Sequence, residues 1–548
     1  MKSKKNVVLF IVDSVRHYSA GGLDDRDKLD MMDSFEKESV YFPLTVTSAP
    51  SSIMSLSTML TSLPAYYIAR NYDDFRYDNN QFISLHNILK DEGYNVKSLF
   101  NARELRFLFG DVIDHVEEEY WPKGVNTNQK NWSNATMNVI LEKFLKSNSM
   151  DEPCFMVCWY NVRHDADTSD HIQRGIDILK ENKLWDDSVF ILGSDHGYMD
   201  PKRGYTPEKL EAMGLSHDLL MTDDNIRIPF YLRYPGSPVK KVDQQVSTLD
   251  FLPTILSLVD IPYPDSKTYQ MSGLDLVPLI NEEEEAIKVF TKRKVRSDAR
   301  FFAQADRSTA LRDGRYKYIT RPDQNIEEFY DVPNDEWEEN NLIDNEELKD
   351  IIQEFRSEYQ CSEDEIMEFQ TKYLLSKLPK SLKKSGSNSS LNVAILGTVQ
   401  PYYLDNLSKI FKEFWGDKAN VDLIVSTKVA SDMKNMALYN ASYAYDLELE
   451  NIFNDTDVLK NKYDFAIVLT DSRNQDKIKA EQQKIMSILK VDKELSLNPN
   501  MEFVAREKTL RDPKLILRVL KEKRSYYFKN PGMIFNHFVK WFNIVAKK

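Results

Sequence analysis

Two apolar segments, each followed by acidic side chains, constrain the fold of this chain more than any other feature. The first covers residues 7–12 and ends at Asp13, and the second covers residues 189–192 and leads to Asp195 and His196. Continuous apolar runs of this length are typical of buried parallel strands, and open α/β sheets bind ligands at the carboxyl ends of such strands. A carboxylate buried there must be paired, hydrogen-bonded or metal-bound, because an isolated one is too costly to remove from water. An acid after one strand often only caps the next helix, but two such strand ends favour a site.

The composition is that of a soluble globular protein with more than one domain. The 548 residues are too many for a single core, and 42% of them are apolar and 29% charged. The formal net charge of -14, without a basic domain that carries a nucleic-acid motif, argues against nucleic acid as a partner. The segment before Asn6 has neither a signal-peptide nor a spanning-helix pattern, and the three cysteines suggest no disulfide framework. We therefore expect a cytoplasmic protein.

Strand and helix patterns alternate from Asn6 to about residue 259, which predicts an α/β fold with a doubly wound, mostly parallel sheet. A smaller section follows at about 285–375, with a hairpin that turns at Asp313 and Gly314. This organisation predicts one large domain over residues 1–375.

Residues 376–391 are rich in Ser and Lys and poor in apolar side chains, which is typical of a linker. Three further strand patterns, at 393–397, 421–425 and 463–470, predict an accessory Rossmann-like α/β domain over 392–500. This domain lacks a G-x-G-x-x-G fingerprint, so its sequence gives little support to nucleotide binding.

The last segment, residues 501–548, is predicted to be a basic helical tail. It holds 12 Lys/Arg against 4 Asp/Glu, and aromatic and aliphatic residues recur at helical spacing between 533 and 545. Such a helix can lie on a membrane surface or pack against the accessory domain. Both interpretations stay open.

Several short motifs, in order along residues 6–345, together resemble the sulfatase-like branch of the alkaline phosphatase superfamily. The matching pieces are Asn6–Asp13, 50–52 with 60–64, Ser194-Asp195-His196-Gly197, Ile226-Arg227-Ile228-Pro229, Tyr234-Pro235-Gly236, 247–256 and Phe329-Tyr330-Asp331. The resemblance implies an alkaline-phosphatase/sulfatase-like fold for the large domain, with 285–375 as its small C-terminal subdomain.

The resemblance also points to a nucleophile. In sulfatases the nucleophile is a formylglycine made from the first residue of a C/S-x-P-S-R motif, and that position falls on Ser52. The stretch 52–56 reads Ser-Ile-Met-Ser-Leu and has neither the proline nor the arginine. This departure implies an unmodified serine hydroxyl, as in the phosphate-ester branches of the superfamily. A shift of one turn would move the assignment to Ser48, Ser51 or Ser55, and a helix cap is the alternative role.

A divalent metal ion is the cofactor that the resemblance implies. Its ligands would be Asp13, Ser52, Asp195 and His196. Ser14 stands where sulfatases commonly carry a second Asp, which favours Mn²⁺, Mg²⁺ or Zn²⁺ over Ca²⁺.

Other residues are assigned from the same resemblance. His164 and His217 resemble family histidines near the ester and its leaving group, and they are the further catalytic candidates. Asp167 and His171 are four residues apart, so one helical turn could present both to a second ion with His217; a solvated loop is the alternative. The candidate substrate contacts are Arg16, Arg163 and Lys317.

These assignments predict a divalent-metal-dependent hydrolase or phosphotransferase of phosphate esters with a serine nucleophile. The accessory domain and the basic tail suggest a glycan or lipid-linked precursor as substrate, and peripheral membrane contact through the last helix. A sulfate-ester hydrolase and a non-catalytic binding protein are the alternatives. The sequence leaves the oligomeric state open.

Overall fold

Two compact units, Met1–Gln370 and Thr371–Lys548, make up the chain. The computed structural model describes residues 4–17, 30–68, 83–100, 105, 116–125, 132–147, 152–161, 167–200, 203–204, 219–263, 271–299, 307–377, 391–397, 404, 407, 409–411, 415, 419–432, 439–446, 452–453, 455–469, 475–497 and 503–505. The division between the units falls inside one long helix, Lys349–Lys377. The predicted linker lies largely outside the described residues.

The first unit contains most of the regular structure. Its strands are β1 (Asn6–Asp13), β2 (Val40–Tyr41), β3 (Thr45–Val46), β4 (Asn95–Phe100), β5 (Cys154–Asn161), β6 (Ser188–Ser194), β7 (Arg227–Ile228), β8 (Phe230–Arg233), β9 (Lys240–Lys241), β10 (Val246–Ser247), β11 (Val295–Ala299), β12 (Ser308–Arg312), β13 (Tyr316–Arg321) and β14 (Ile326–Asp331). Its helices are α1 (Asp30–Phe35), α2 (Ser52–Thr61), α3 (Ala65–Ile68), α4 (Leu85–Asp91), α5 (Asn134–Ser147), α6 (Thr168–Glu181), α7 (Asp223–Ile226), α8 (Phe251–Leu258), α9 (Val277–Ile280), α10 (Glu284–Lys292) and α11 (Lys349–Lys377). Short 3-10 turns occupy Glu36–Glu38, Glu118–Tyr120, Thr248–Asp250, Pro322–Gln324 and Glu346–Leu348.

A seven-stranded sheet in the order β4-β5-β1-β6-β8-β2-β9 forms the centre of the first unit. β4, β5, β1 and β6 are parallel neighbours, and β8 is antiparallel to β6 and to β2. The predicted α/β fold with a parallel-rich sheet is therefore confirmed. β1 lies between β5 and β6, so the two apolar segments singled out in the sequence are adjacent strands.

Both faces of this sheet are covered, as the continuous apolar runs predict. Because side chains alternate along a strand, Val7, Leu9 and Ile11 enter one core cluster, which also contains Leu56 of α2. Residues between them, such as Phe10, enter the cluster on the other face together with apolar residues of α5 and α6.

Two smaller sheets complete the first unit. β10, β3 and β7 form a three-stranded sheet, and β11 to β14 form an antiparallel sheet of four strands. The predicted hairpin is present, with Asp313–Arg315 between its strands; the Asp313 carboxylate accepts hydrogen bonds from the amides of Arg315 and Tyr316. α11 packs Ile352 and Phe355 on this sheet.

The second unit contains a mostly parallel six-stranded sheet. Its strands are β15 (Leu391–Gly397), β16 (Ala419–Ser426), β17 (Ala441–Tyr445), β18 (Lys462–Leu469), β19 (Lys490–Leu497) and β20 (Phe503–Ala505), and its described helices are α12 (Thr427–Asp432) and α13 (Gln475–Met486), with a 3-10 turn at Thr456–Leu459. The order β17-β16-β15-β18-β19-β20, with β20 antiparallel, is the strand order of a Rossmann-like sheet.

The predicted basic tail lies outside the described residues from 506 onward. Within the part of the chain that is described, no helix has the combination of length and apolar composition needed to span a bilayer.

Candidate active site

Three side chains of types that can bind a metal meet where β1 and β6 end. Asp13 is the last residue of β1, and Asp195 and His196 follow β6 directly. Because the two strands are parallel neighbours with Val12 opposite Ser194, their carboxyl ends lie side by side. The Nε2 atom of His196 is 3.9 Å from Asp13 Oδ1 and 3.8 Å from Asp195 Oδ2.

Ser52 completes this group from a different element. It is the first residue of α2, after Ser51, whose backbone is extended with φ -148. The Ser52 hydroxyl oxygen is 3.2 Å from His196 Nε2 and 3.4 Å from Asp13 Oδ1. The amides of the first turn of a helix attract anions, so an anionic ester at this point would face both the hydroxyl and the helix N-terminus.

The neighbouring serines have other surroundings. Ser55 Oγ donates to the backbone carbonyl of Asp195 at 2.6 Å, which ties α2 to the end of β6. Ser48 is fully buried, and its amide donates to Thr248 Oγ1. Ser51 caps α2 without a side-chain hydrogen bond. Of the four serines considered from the sequence, Ser52 is the one whose hydroxyl contacts Asp13 and His196.

Hydrogen bonding defines the tautomer of His196. Its Nδ1 atom is 2.7 Å from the backbone carbonyl of Gly197. Because a carbonyl oxygen can only accept, Nδ1 carries the proton, and in the neutral ring Nε2 presents its lone pair. Nε2 is the ring nitrogen that lies near Asp13 and Ser52. A neutral imidazole with such a free lone pair is the form of histidine that binds metals.

Asp195 is held by donors on both carboxylate oxygens. Oδ1 accepts the amides of Ser14 at 3.0 Å and His196 at 2.8 Å, and the Ser194 hydroxyl at 3.4 Å. Oδ2 accepts the indole N–H of Trp159 at 3.2 Å. The side chain is fully buried, and no lysine or arginine in the described part of the chain pairs with it.

The donor set fits a single divalent cation. Asp13, Asp195 and His196 each offer a ligand atom, and these atoms all lie within 4.8 Å of one another. Two ligands that are each about 2.1 Å from one ion lie roughly 3.0 to 4.2 Å apart. His196 Nε2 lies 3.2 Å from Ser52 Oγ, 3.8 Å from Asp195 Oδ2 and 3.9 Å from Asp13 Oδ1, within this range. The buried Asp195 carboxylate has hydrogen-bond donors but no Lys or Arg partner among the described residues, so its negative charge favours a cation at this point. This is the one such group among the described residues.

Arg16, a predicted substrate contact, has a buried carboxylate as a partner. Its side chain is 2% exposed, and its guanidinium lies 2.7 Å from the Asp200 carboxylate, itself 2% exposed. Arg16 follows β1 and Asp200 follows β6, so this buried ion pair joins the two segments that carry the metal-binding side chains. The structure thus gives Arg16 a structural partner, and its contact with substrate stays a prediction.

Lys317, another predicted substrate contact, is also paired with buried carboxylates. Its ammonium group is 0% exposed and pairs with Asp223 at 2.9 Å and with Glu338. Burial alone would raise the pKa of Asp223, but the positive charges of Arg312 and Lys317 hold this pKa well below its usual range. Lys317 therefore neutralises buried carboxylates, and a substrate could not reach its amine without breaking the pairs.

The remaining predicted residues are only partly placed. Asp167 is the exposed N-cap residue of α6, and His171 lies in its first turn, with the His171 amide bonded to the Asp167 carbonyl at 3.0 Å. They form no metal-binding group with a third described residue. His164, Arg163 and His217 lie outside the described residues.

Two neighbours of the site have contacts that the sequence did not predict. Trp159 donates to Asp195 as described above. Ser14 has a left-handed backbone with φ 60. Its amide donates a hydrogen bond to Asp195, and its hydroxyl donates one to Asp13 Oδ1 at 3.0 Å. The resemblance places Ser14 at the position of a second family Asp, and this was the available signal. No sequence pattern indicates that the Trp159 indole reaches Asp195.

Comparison with known proteins gives matches across the first unit. The family model described as Sulfatase matches residues 5–170 and 162–261, and that described as N-sulphoglucosamine sulphohydrolase, C-terminal, matches residues 213–365. An ulvan-active sulfatase of Formosa agariphila is 22% identical over 420 residues, which cover 64% of this chain and 80% of that relative.

Two further relatives are informative. A lipoteichoic acid synthase of Staphylococcus saprophyticus is 32% identical over 108 residues, which cover 19% of this chain and 16% of that protein. The solved structure of a 2-O GAG sulfatase superposes with a TM-score of 0.51 at 16% identity, covering 68% of this chain and 94% of that one. Other curated sulfatase relatives match over about a third of their own length.

Proposed function

This chain is a sulfatase-family ester hydrolase of the alkaline phosphatase superfamily, and from that premise we propose that it acts on phosphate esters, by hydrolysis or transfer, with unmodified Ser52 as nucleophile. The observation that carries the proposal is the position of the Ser52 hydroxyl, 3.2 Å from His196 Nε2 and 3.4 Å from Asp13 Oδ1. Asp13, Ser52, Asp195 and His196 would hold one divalent cation.

The surroundings of α2 support an unmodified serine. The two motif positions that would carry proline and arginine are Met54 and Leu56, each 1% exposed in the apolar core. A buried leucine cannot bind an anionic ester or interact with a formylglycine through charge. The match to a lipoteichoic acid synthase, a synthase by name, also supports group transfer rather than sulfate hydrolysis alone.

The reaction follows from the chain's own groups. A bound divalent cation would lower the pKa of the Ser52 hydroxyl and polarise the phosphoryl oxygens. Ser52 Oγ would attack phosphorus and form the Oγ–P bond while the bond to the leaving alkoxide breaks. The Ser52 proton would pass to solvent water as its pKa falls, and His164 or His217 would protonate the alkoxide. Water or an acceptor hydroxyl would then cleave the phosphoserine.

The first unit supplies each of the four candidate ligands, so the proposed chemistry belongs to residues 1–370.

A glycan or lipid-linked precursor is the substrate class that we propose. We also propose a cytoplasmic location, with the basic tail at 501–548 on the membrane surface. Cosedimentation of the full chain with anionic vesicles, compared with a chain that ends at residue 500, tests this contact.

We predict that Ser52→Ala abolishes turnover. The variant should lose at least about three orders of magnitude in kcat, because the attacking oxygen is removed, while its fold is kept because alanine fits the first turn of a helix. Phosphomonoesters, phosphodiesters and sulfate esters are to be tested with Mn²⁺, Mg²⁺, Zn²⁺ and Ca²⁺ in turn. The matched control is Ser51→Ala, which removes a neighbouring hydroxyl that makes no side-chain cap bond.

Three results would count against the proposal. Full activity of Ser52→Ala would exclude this nucleophile. A mass two hydrogens below that expected for the peptide containing Ser52 would reveal formylglycine and favour the second candidate function, a sulfate-ester hydrolase, which the sulfatase relatives support. Absence of stoichiometric metal and of turnover on every ester would favour a non-catalytic binding protein.

A further inference from the structure

One polar contact of the site comes from the apolar core. Trp159 lies on β5, is 3% exposed, and packs in the core cluster that contains Leu56 and Met59 of α2. Its ring is therefore part of the apolar layer beneath the helix that begins at Ser52. Its Nε1–H leaves that layer and donates to Asp195 Oδ2 at 3.2 Å.

This contact requires a long side chain. β5 and β6 lie on opposite sides of β1, so Trp159 on β5 is separated from Asp195, directly after β6, by two strand spacings, about 9.6 Å at roughly 4.8 Å each. An indole can extend across β1 and still carry a donor at its far edge. Phenylalanine at this position could fill part of the space but could not donate a hydrogen bond.

We propose that Trp159 is a positioning residue that orients Asp195 toward the candidate metal. This inference rests on the proposed function. Asp195 Oδ1 already receives the amides of Ser14 and His196, and Oδ2 is the oxygen that lies 3.8 Å from His196 Nε2. A carboxylate oxygen has two lone pairs. When the indole N–H takes one of them, the carboxylate torsion is set and the other lone pair is available to the cation.

The hydrogen bond should affect metal affinity more than the chemical step. Partners that orient a metal ligand typically contribute a factor of about 10 to 100 in affinity. No described contact joins Trp159 to Ser52 or to the position of the ester beside it. A Trp159 variant that is saturated with metal should therefore have most of the kcat of the wild type. A role limited to core packing would lower protein yield or stability without this dependence on metal concentration.

The test is Mn²⁺ binding by Trp159→Phe, with free Mn²⁺ followed by EPR. The matched control is Trp121→Phe, because the buried Trp121 indole also donates a hydrogen bond, at 2.9 Å, but to the backbone carbonyl of Val116. A second replacement, Trp159 by β-(3-benzothienyl)alanine, keeps the shape of the ring system and removes only the N–H donor. It remains informative if Trp159→Phe folds poorly.

We expect the Mn²⁺ Kd to rise about 10- to 100-fold in both Trp159 variants and to stay unchanged in Trp121→Phe. An unchanged or lower Kd in the benzothienyl variant would overturn the positioning role. Failure of the proposed function gives a different result: the wild type would then bind no Mn²⁺, or Asp195→Asn would bind it as tightly as the wild type.

Discussion

At the residue scale, Ser14 links the two carboxylates of the candidate metal centre. Its amide donates to Asp195 and its hydroxyl donates to Asp13, and both bonds depend on its left-handed backbone at φ 60. Residues other than glycine rarely adopt this conformation, although Asn and Asp tolerate it better than most. The serine therefore holds two ligands without adding a negative charge of its own.

We predict that Ser14→Asp shifts the metal preference toward Ca²⁺. A third carboxylate adds a hard oxygen ligand and a negative charge, and Ca²⁺ prefers such ligands in larger numbers than Mn²⁺ does. The ratio of the Ca²⁺ Kd to the Mn²⁺ Kd should fall by on the order of tenfold, about 1.4 kcal/mol, as measured by competition calorimetry.

Ser14→Asn is the control for Ser14→Asp, since it tolerates the same backbone and adds no charge. If both variants gave the same ratio of the two dissociation constants, the charge at position 14 would not determine the choice of metal.

At the scale of elements, buried ion pairs connect α11 to the four-stranded sheet. Glu363 of α11 accepts from Arg296 of β11 at 2.7 Å and from Arg307, just before β12, at 3.1 Å. Burial would raise the pKa of Glu363, but Arg307 and Arg296 together lower it from 4.5 to about 2. Because the pKa is lower in the folded chain than in the unfolded chain, the ion pairs stabilise the fold fully above pH about 4.5, and this stabilisation is lost as the pH falls toward 2.

We predict that Glu363→Gln destabilises the first unit at neutral pH and that the difference shrinks in acid. A shift of this size corresponds to roughly 3 kcal/mol at pH 7. Urea unfolding of the first unit, followed at pH 7 and again near pH 3, measures the two differences. Glu354→Gln is the control, because Glu354 lies on the same helix with its side chain 65% exposed. An equal loss at both pH values would show that packing, rather than the lowered pKa, accounts for the effect.

At the scale of the whole molecule, the strands of the central sheet could be predicted because the pattern of apolar residues within each segment is enough to indicate a strand. The apolar runs around Val8 and Phe190 require a buried parallel sheet, and β1 and β6 indeed lie side by side. The family resemblance added Ser52, which comes from a helix far from Asp13 and Asp195 in sequence. The structure places these side chains together at the end of the sheet.

The partners of the long polar side chains could not be predicted from the sequence. Arg16 and Lys317 are predicted substrate contacts, and the structure pairs them with Asp200 and Asp223, which are remote from them in the chain. A flexible cation pairs with whichever carboxylate the tertiary fold brings into its low-dielectric surroundings. The local sequence around a cation therefore does not predict its carboxylate partner. It likewise does not predict that the Trp159 indole points toward Asp195.

The division into two units leads to a prediction about where activity resides. Asp13, Ser52, Asp195 and His196 all lie in the first unit, which has core clusters of its own, and the family models end at residue 365. A chain that ends at Lys377 keeps all of α11 and should bind one Mn²⁺ and turn over the same ester as the full chain, with the same dependence on Ser52. The comparison requires metal stoichiometry and kcat/KM for both chains. Loss of kcat/KM with metal binding intact would assign substrate recognition to the second unit, whereas loss of metal binding would mean that the first unit cannot hold its site alone.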